Sequence, residues 1–209
     1  MLKASNITKT FVRNNVEFNA VDDVSFEAKK GELIAFTGHS GSGKTTLLNI
    51  IAGMMKQTLG TVEIEGDGSI GYVLQGDSLL GNFTVYENVC MPAYLENRND
   101  DFGSRAEELI ERMGLSGIAD DYPKNLSGGE KRRVAIARAM INNPSIILAD
   151  EPTSNLDQEN SERVMEILKS ISESGTMVLM TTHELEYVRY ADRVLNMNKG
   201  KLMPEAFAE

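Results

Sequence analysis

Cysteine, basic residues and long apolar runs are all scarce in this sequence. The single cysteine, Cys90, cannot form an internal disulfide, which fits a reducing compartment. The formal net charge of −10, from 21 Lys and Arg against 31 Asp and Glu, disfavours a nucleic-acid partner and adsorption to anionic lipid. The N-terminus lacks the apolar run of a signal peptide, and no window approaches about 18 consecutive apolar residues. We therefore expect a cytoplasmic protein that does not itself insert into a membrane.

The order of the predicted elements indicates an α/β protein. The 209 residues suffice for one domain with a sizeable core. Short strands are expected around residues 4–11, 24–28, 33–36, 61–65 and 69–74. Helical patterns dominate from about residue 77 to 142, and the last third alternates helices with the strands SIILAD, TMVLMTT and ADRVLNMN. We therefore expect a single domain over residues 1–209, with the helices of the middle third inserted into an α/β core.

The stretch GHSGSGKT fits the phosphate-loop pattern G-x-x-x-x-G-K-[ST], between the predicted strand ELIAFTG and the helical run TLLNIIAGMM. Its glycines let backbone N–H groups converge on phosphate oxygens, and the helix start adds partial positive charge. Lys44 would contact the β- and γ-phosphates, and the Thr45 hydroxyl would bind Mg²⁺. The alternative is a merely flexible turn, which the strand–loop–helix context disfavours. The predicted nucleotide-binding residues of this loop are Gly38, His39, Ser40, Gly41, Ser42, Gly43, Lys44, Thr45 and Thr46.

A pair of acidic residues ends the predicted strand SIILAD. Asp150 stands at its carboxyl end, where a carboxylate can bind Mg²⁺ directly or through water. The side chain of Glu151 points differently at the strand end, so it can orient or deprotonate a water in line with the γ-phosphate. The alternative is an acidic strand-to-loop turn before Pro152, and the phosphate loop makes that alternative the weaker one.

The stretch NLSGGEKRRVAIAR contains a second glycine-rich helix start. Ser127 and Glu130 have the spacing of a capping box, which alone explains a helix beginning here. A cap does not require Gly128 and Gly129, whereas glycines let a ligand approach the backbone and the helix start offers donors to an anion. One copy cannot readily hold a γ-phosphate from two distant loops, but two copies related by a two-fold axis can. We therefore predict a homodimer, formed with nucleotide bound, in which these residues reach the nucleotide of the other copy.

Taken in order, GHSGSGKTT, LSGGE and ILADEPTSNLD resemble the ATPase subunit of an ATP-binding cassette (ABC) transporter. The resemblance covers nearly the whole chain. It implies a P-loop NTPase core with an antiparallel β-subdomain and an inserted α-helical subdomain, with ATP and Mg²⁺ as ligands. It also implies a transmembrane permease as partner, which would hold the chain at the inner face of the cell membrane.

Four further residues match functional positions of that family. Gln75 resembles the glutamine that touches Mg²⁺ and water and senses the permease; otherwise it is a polar residue ending a strand. Phe11 stands where the family has an aromatic, more often tyrosine, stacked on adenine; otherwise it is a core phenylalanine. Asp157 resembles the loop that links the two sites across the dimer, or it is a helix N-cap. His183 resembles the histidine that contacts the γ-phosphate, or it is a histidine at a helix start.

The resemblance implies that ATP closes the dimer and that hydrolysis powers a separate permease, with Lys44, Glu151 and His183 as catalytic residues. LADEPTSNLD and FTVYENVCMPAYL are similar to the lipoprotein-release, macrolide-efflux and antimicrobial-peptide-response group, although the segment from Gly60 to Gln75 is shorter than usual there. An ATP-driven regulator that transports nothing would carry the same motifs. A DNA-repair ATPase would need coiled coils or a basic surface, and a GTPase an N-K-x-D element, and the sequence has neither.

Overall fold

Nine strands form two sheets in residues 1–76, 78–96 and 102–203, the part of the chain that this computed structural model describes. They are β1 (Leu2–Arg13), β2 (Val16–Ala28), β3 (Leu33–Thr37), β4 (Leu59–Ile64), β5 (Ile70–Val73), β6 (Ile146–Asp150), β7 (Met177–Thr182), β8 (Arg193–Asn198) and β9 (Lys201–Leu202). The smaller sheet is antiparallel, in the order β2-β1-β4. The larger has the order β5-β6-β7-β3-β8-β9 and is parallel except where β8 meets β9.

Three helices of the described residues begin at side-chain caps. The α-helices of the described residues are α1 (Lys44–Ile51), α2 (Val85–Leu95), α3 (Phe102–Arg112), α4 (Gly128–Met140) and α5 (Gln158–Glu173). Short 3₁₀ helices lie at Ser116–Ile118, Pro123–Asn125 and Leu185–Tyr190. The predicted capping box of Ser127 with Glu130 is present, and Thr84 forms another with Glu87 at the start of α2. Asp157 caps α5 by accepting a hydrogen bond from the backbone N–H of Asn160. Each cap satisfies donors that the first helical turn leaves without partners.

The central strands are buried on both faces, as their unbroken apolar sequences predict. Ile146 and Leu148 of β6 join one hydrophobic cluster, together with α1 and the small antiparallel sheet. Ile147 and Ala149 of the same strand join a second cluster on the opposite face, together with α2, α3, α4 and α5. The helices of the middle third therefore share their core with the large sheet, and we propose that residues 1–209 fold as one domain.

The structure confirms the expected α/β class and the predicted strands, and it lengthens two of them. β1 and β2 extend into a hairpin whose tip is Asn14 and Asn15, both with positive φ, a conformation that asparagine tolerates. Residues 16–19 are all exposed, so their strand structure comes from pairing with β1 and not from burial. Asp77, where the inserted helices were expected to begin, lies outside the described residues. No helix in the described ranges is long and apolar enough to cross a membrane.

Candidate nucleotide-binding site

A cavity of about 550 Å³ lies beyond the carboxyl ends of the parallel strands. This is the edge at which open α/β sheets bind their ligands. The phosphate loop follows β3, and the loops that follow β5, β6 and β7 supply Gln75, Glu151 and His183 respectively. The lining residues are Ala20, His39, Ser40, Gly41, Gly43, Lys44, Thr45, Thr46, Gln75, Glu151 and His183.

The phosphate loop is held so closely that two of its glycines have no room for a side chain. A Cβ on Gly38 would lie 2.2 Å from the Met197 carbonyl oxygen, and one on Gly43 would lie 2.1 Å from the Ala20 carbonyl oxygen. Both glycines also have positive φ, of 142° and 104°. The loop therefore packs against β8 and β2 through its glycines, and it is not merely a flexible turn.

Lys44 lies across the loop that precedes it. Its ammonium donates to the carbonyl oxygens of Gly38 at 2.7 Å and His39 at 3.1 Å. Burial lowers the pKa of Lys44, while the carboxylates of Glu151 and Asp150 act in the opposite direction. A bound polyanion would favour the charged form further. The ammonium is thus fixed at the cavity, where it can meet phosphate oxygens.

The phosphate loop and the start of α1 also contain hydrogen-bond donors that are available to a ligand. α1 begins at Lys44, and the first N–H groups of a helix have no partner within the helix. The buried Oγ of Ser42 has no hydrogen-bond partner within residues 1–76, 78–96 and 102–203. Donors that converge on one helix start are the usual way in which proteins bind phosphate.

Asp150 is held by two hydroxyl groups. Its Oδ1 accepts from Thr45 Oγ1 at 3.1 Å and from Thr181 Oγ1 at 2.5 Å. The Thr181 hydroxyl oxygen also accepts from the backbone N–H of Glu151 at 2.9 Å. Asp150 is only 2% exposed, so the two hydroxyls compensate for part of its lost hydration. The carboxylate and the Thr45 hydroxyl are therefore brought together at the edge of the cavity.

Glu151 has left-handed backbone geometry, with φ of 47°, which is uncommon for a residue with a side chain. This conformation departs from the strand and turns its carboxylate into the cavity. Oε2 accepts from Gln75 Nε2 at 2.8 Å, and Oε1 lies 3.4 Å from His183 Nδ1. Side chains from two other loops therefore meet around the Glu151 carboxylate.

Ser127 and Gly128 are exposed at the start of α4, and Gly129 is buried. None of the three is among the lining residues of the 550 Å³ cavity in the described part of the chain. The Ser127 hydroxyl donates to Glu130 Oε2 at 2.7 Å within the capping box. A Cβ on Gly129 would lie 2.0 Å from Oδ1 of Asn160, so this glycine permits close packing of α4 on α5.

Asp157 has the local setting of its alternative, whereas Phe11 does not. Asp157 is the N-cap of α5, as its alternative required. Phe11 is half-buried, belongs to neither hydrophobic cluster and stacks on Phe18 with ring centroids 5.9 Å apart. The core-phenylalanine alternative for Phe11 is therefore wrong. Phe11 does not line the cavity among the described residues, although Ala20, on the same strand as Phe18, does.

Sequence patterns did not reveal several residues that support the site. Thr181 bonds both acidic residues, and its only sequence signal is its place at the end of a buried strand. The Thr153 hydroxyl donates to the Glu184 carboxylate, which ties the loop after Glu151 to the residue after His183. These partners are about 30 residues apart in sequence, so only the parallel pairing of β6 with β7 brings them together.

A phosphate loop, a strand-end Asp–Glu pair and the parallel sheet together define a P-loop nucleotide-binding domain. The family described as ABC transporter matches residues 21–154. The chain is 36% identical over 219 aligned positions to MJ1508, an uncharacterized ABC transporter ATP-binding protein of Methanocaldococcus jannaschii, and the match covers 97% of this chain and 98% of that protein.

Solved structures of similar proteins support the same family assignment. A dimeric post-hydrolysis state of the ATP-binding cassette MJ0796, bound to ADP and Pi, superimposes with a TM-score of 0.88 at 36% identity, covering 98% of this chain and 97% of that one. CbiO1 of Clostridium perfringens, part of the cbiONQ transporter complex, gives a TM-score of 0.84 at 26% identity, covering 97% and 86%. This chain belongs to the ABC transporter family, as one of its ATP-binding cassettes, and the resemblance inferred from the motifs is confirmed.

Proposed function

We propose that the chain is an ATP-hydrolysing subunit whose two copies close over two ATP molecules and drive a separate membrane-spanning permease. One observation carries the two-copy arrangement. The Ser127–Gly128 helix start is exposed and does not line the cavity of its own chain in the described residues, yet it offers donors to an anion. The dimeric MJ0796 cassette bound to ADP and Pi supports the same arrangement.

ATP would lie along the phosphate loop, with its β- and γ-phosphates at Lys44 and at the N–H groups of α1. Phe11 would stack on the adenine, which its half-buried ring at the hairpin leaves possible. From the other copy, Ser127, Gly128 and Gly129 would reach the γ-phosphate. Asp157, beside them at the start of α5, would contact the partner's site.

Mg²⁺ fits the oxygens that the site presents. Thr45 Oγ1 and Asp150 Oδ1 lie 3.1 Å apart, and a hydroxyl with a carboxylate is the partial ligand set that Mg²⁺ shares with nucleotide phosphates. Among the described residues, no group of three His, Cys, Asp or Glu side chains could hold a metal alone. The remaining ligands would come from ATP, water and Gln75. When bound, the ion would neutralise charge on the phosphates.

Hydrolysis would use Glu151 as the residue that orients and deprotonates the attacking water. Its carboxylate lies in the cavity between Gln75 and His183. His183 would contact the γ-phosphate and hold the geometry, and Lys44 would stabilise charge on the transferred group. Hydrolysis would remove the γ-phosphate, which both copies contact in the closed dimer, so the dimer would then open.

The permease would bind near Gln75, because an apolar surface lies there. Leu74, Leu80 and Phe83 are 36–40% exposed in the segment that leads from β5 to α2. An apolar contact at the loop that carries Gln75 would couple binding of the permease to the nucleotide site. Among transporters we favour the lipoprotein-release, macrolide-efflux and antimicrobial-peptide-response group. A regulator of a membrane complex that transports nothing is the second candidate.

Mixing two inactive variants tests the composite site. Lys44→Ala removes the phosphate-loop ammonium, and Ser127→Arg blocks the helix start that serves the other copy. Each homodimer has two defective sites, but a mixed dimer has one intact site, built from the phosphate loop of the Ser127→Arg chain and the helix start of the Lys44→Ala chain. We expect ATP turnover to reappear on mixing. If each copy worked alone, mixing would restore nothing.

A further inference from the structure

Asn160 lies where the start of α4 meets the start of α5. Its Nδ2 donates to both carboxylate oxygens of Asp157, at 2.9 and 3.0 Å. Its Oδ1 accepts from a guanidinium nitrogen of Arg133 at 3.3 Å. One amide therefore joins the cap of α5 to a side chain of α4.

The same amide also lies against the backbone of the glycine pair. A Cβ on Gly129 would lie 2.0 Å from Asn160 Oδ1 and 2.4 Å from its Cγ. The approach is so close that any other residue at 129 would displace either Asn160 or the helix start. Gly129 is itself buried, whereas its neighbour Gly128 is exposed.

Arg133 continues the connection to the Ser127 cap. It is 6% exposed, and its Nε has no hydrogen-bond partner in the described part of the chain. Hydrogen bonds from Ser127 lower the pKa of Glu130, and the charge of Arg133 contributes in the same direction. Glu130 in turn accepts from the Ser127 backbone N–H at 2.7 Å. Hydrogen bonds therefore join Asp157, Asn160 and Arg133, and the charge of Arg133 acts on Glu130, which is bonded to Ser127.

We propose that Asn160 is a positioning residue for the ATP-closed dimer, because it fixes the Ser127–Gly129 helix start relative to the Asp157 loop. Both segments are surfaces that one copy would present to the other, and this inference rests on the proposed two-copy site. Neither segment lines the 550 Å³ cavity of its own chain in the described residues. The loss of Asn160 therefore weakens closure of the dimer and leaves nucleotide binding to a single copy intact.

The substitution Asn160→Asp tests this with almost no change in size. It replaces the two donors toward Asp157 with a second carboxylate, so the link becomes a repulsion. Gln158→Glu is the matched control, since it makes the same amide-to-acid change two residues away at an exposed position. Asn160→Ala is the second variant, because it removes the link without adding charge. All three are made in a Glu151→Gln background, in which we expect ATP to stay bound and uncleaved.

Three measurements separate the outcomes: ATP-dependent dimerisation by analytical ultracentrifugation, ADP affinity by calorimetry, and thermal unfolding. We expect both Asn160 variants to dimerise about tenfold or more weakly than the control, from the loss of two hydrogen bonds, with unchanged ADP affinity. Dimerisation equal to the control would overturn the proposal. Parallel losses of ADP affinity and thermal stability would also overturn it, because they indicate a general structural role. If the Glu151→Gln parent itself stayed monomeric with ATP, the composite site would be wrong, and the inference would fall with it.

Discussion

Gln75 donates a hydrogen bond from Nε2 to Oε2 of Glu151 across 2.8 Å. The other carboxylate oxygen lies 3.4 Å from His183 Nδ1, so both oxygens face a polar partner. Gln75 lies in the loop that leads toward the apolar surface proposed for the permease. Movement of that loop would therefore change the surroundings of the proposed general base directly, without any intermediate residue.

Replacing Glu151 with glutamine keeps the shape of this side chain and removes its ability to accept a proton. We expect Glu151→Gln to bind ATP as the wild type does and to lower turnover by about 100-fold or more. The closed dimer should persist, because the phosphate that links the copies stays uncleaved. Single-turnover hydrolysis and gel filtration with ATP check both effects. Turnover close to that of the wild type would remove Glu151 from the role of base.

Thr181→Val tests the support beneath the acidic pair. Valine keeps the shape of threonine but leaves the buried Asp150 carboxylate and the Glu151 N–H without the hydroxyl that bonds both. We expect the free energy of unfolding to fall by about 1–3 kcal/mol and turnover to fall by about tenfold. Thr182→Val is a control on the next residue, whose hydroxyl oxygen accepts from the Glu184 N–H. Equal turnover in the two variants would contradict a specific role for Thr181.

The local parts of the site could be predicted from the sequence, because their chemistry lies within a few residues. The phosphate loop, the Asp150–Glu151 pair and the Ser127–Glu130 cap each occupy one short stretch. The Thr181 bond to Asp150 could not be predicted, since it depends on the pairing of β6 with β7 across 31 residues. The extent of the β1–β2 hairpin was missed for a similar reason, because cross-strand pairing and not burial holds its exposed end.

Gly129 shows how one sequence signal can have two physical causes. The sequence suggested that both glycines of the pair admit a ligand. The structure gives Gly129 a second reason, the contact with Asn160, which lies about 30 residues away and on another helix. The contact of Gly129 with Asn160 could not be predicted from the sequence, since no local rule places an asparagine of α5 against α4.

Cys90 should be unreactive in the folded protein. It is fully buried in α2, and burial raises the pKa of its thiol, although a hydrogen bond with Tyr86 opposes this. A raised folded-state pKa means that the unfolded chain loses its proton first, so the free energy of unfolding falls as the pH rises past the ordinary thiol range. We expect no reaction with a disulfide reagent at pH 8 until denaturant is added. Rapid modification of the native protein would contradict this burial.

The two neighbouring glycines should respond to alanine with opposite changes in stability. A Cβ on Gly128 meets the flexible end of the Leu156 side chain at 3.3 Å and the Asn155 carbonyl oxygen at an ordinary contact distance of 3.9 Å. Alanine is also the better helix former, so Gly128→Ala should leave the free energy of unfolding unchanged or raise it by up to about 1 kcal/mol. A Cβ on Gly129 meets Asn160 at 2.0 Å, so Gly129→Ala should lower it by about 1–3 kcal/mol. Denaturant unfolding of both variants beside the wild type measures the difference.

Both glycine variants should also lose ATP-driven dimerisation. In Gly128→Ala the cause is the new methyl group, which occupies the space proposed for the partner's γ-phosphate. A Gly128→Ala protein that dimerised normally would therefore show that the γ-phosphate does not approach this backbone.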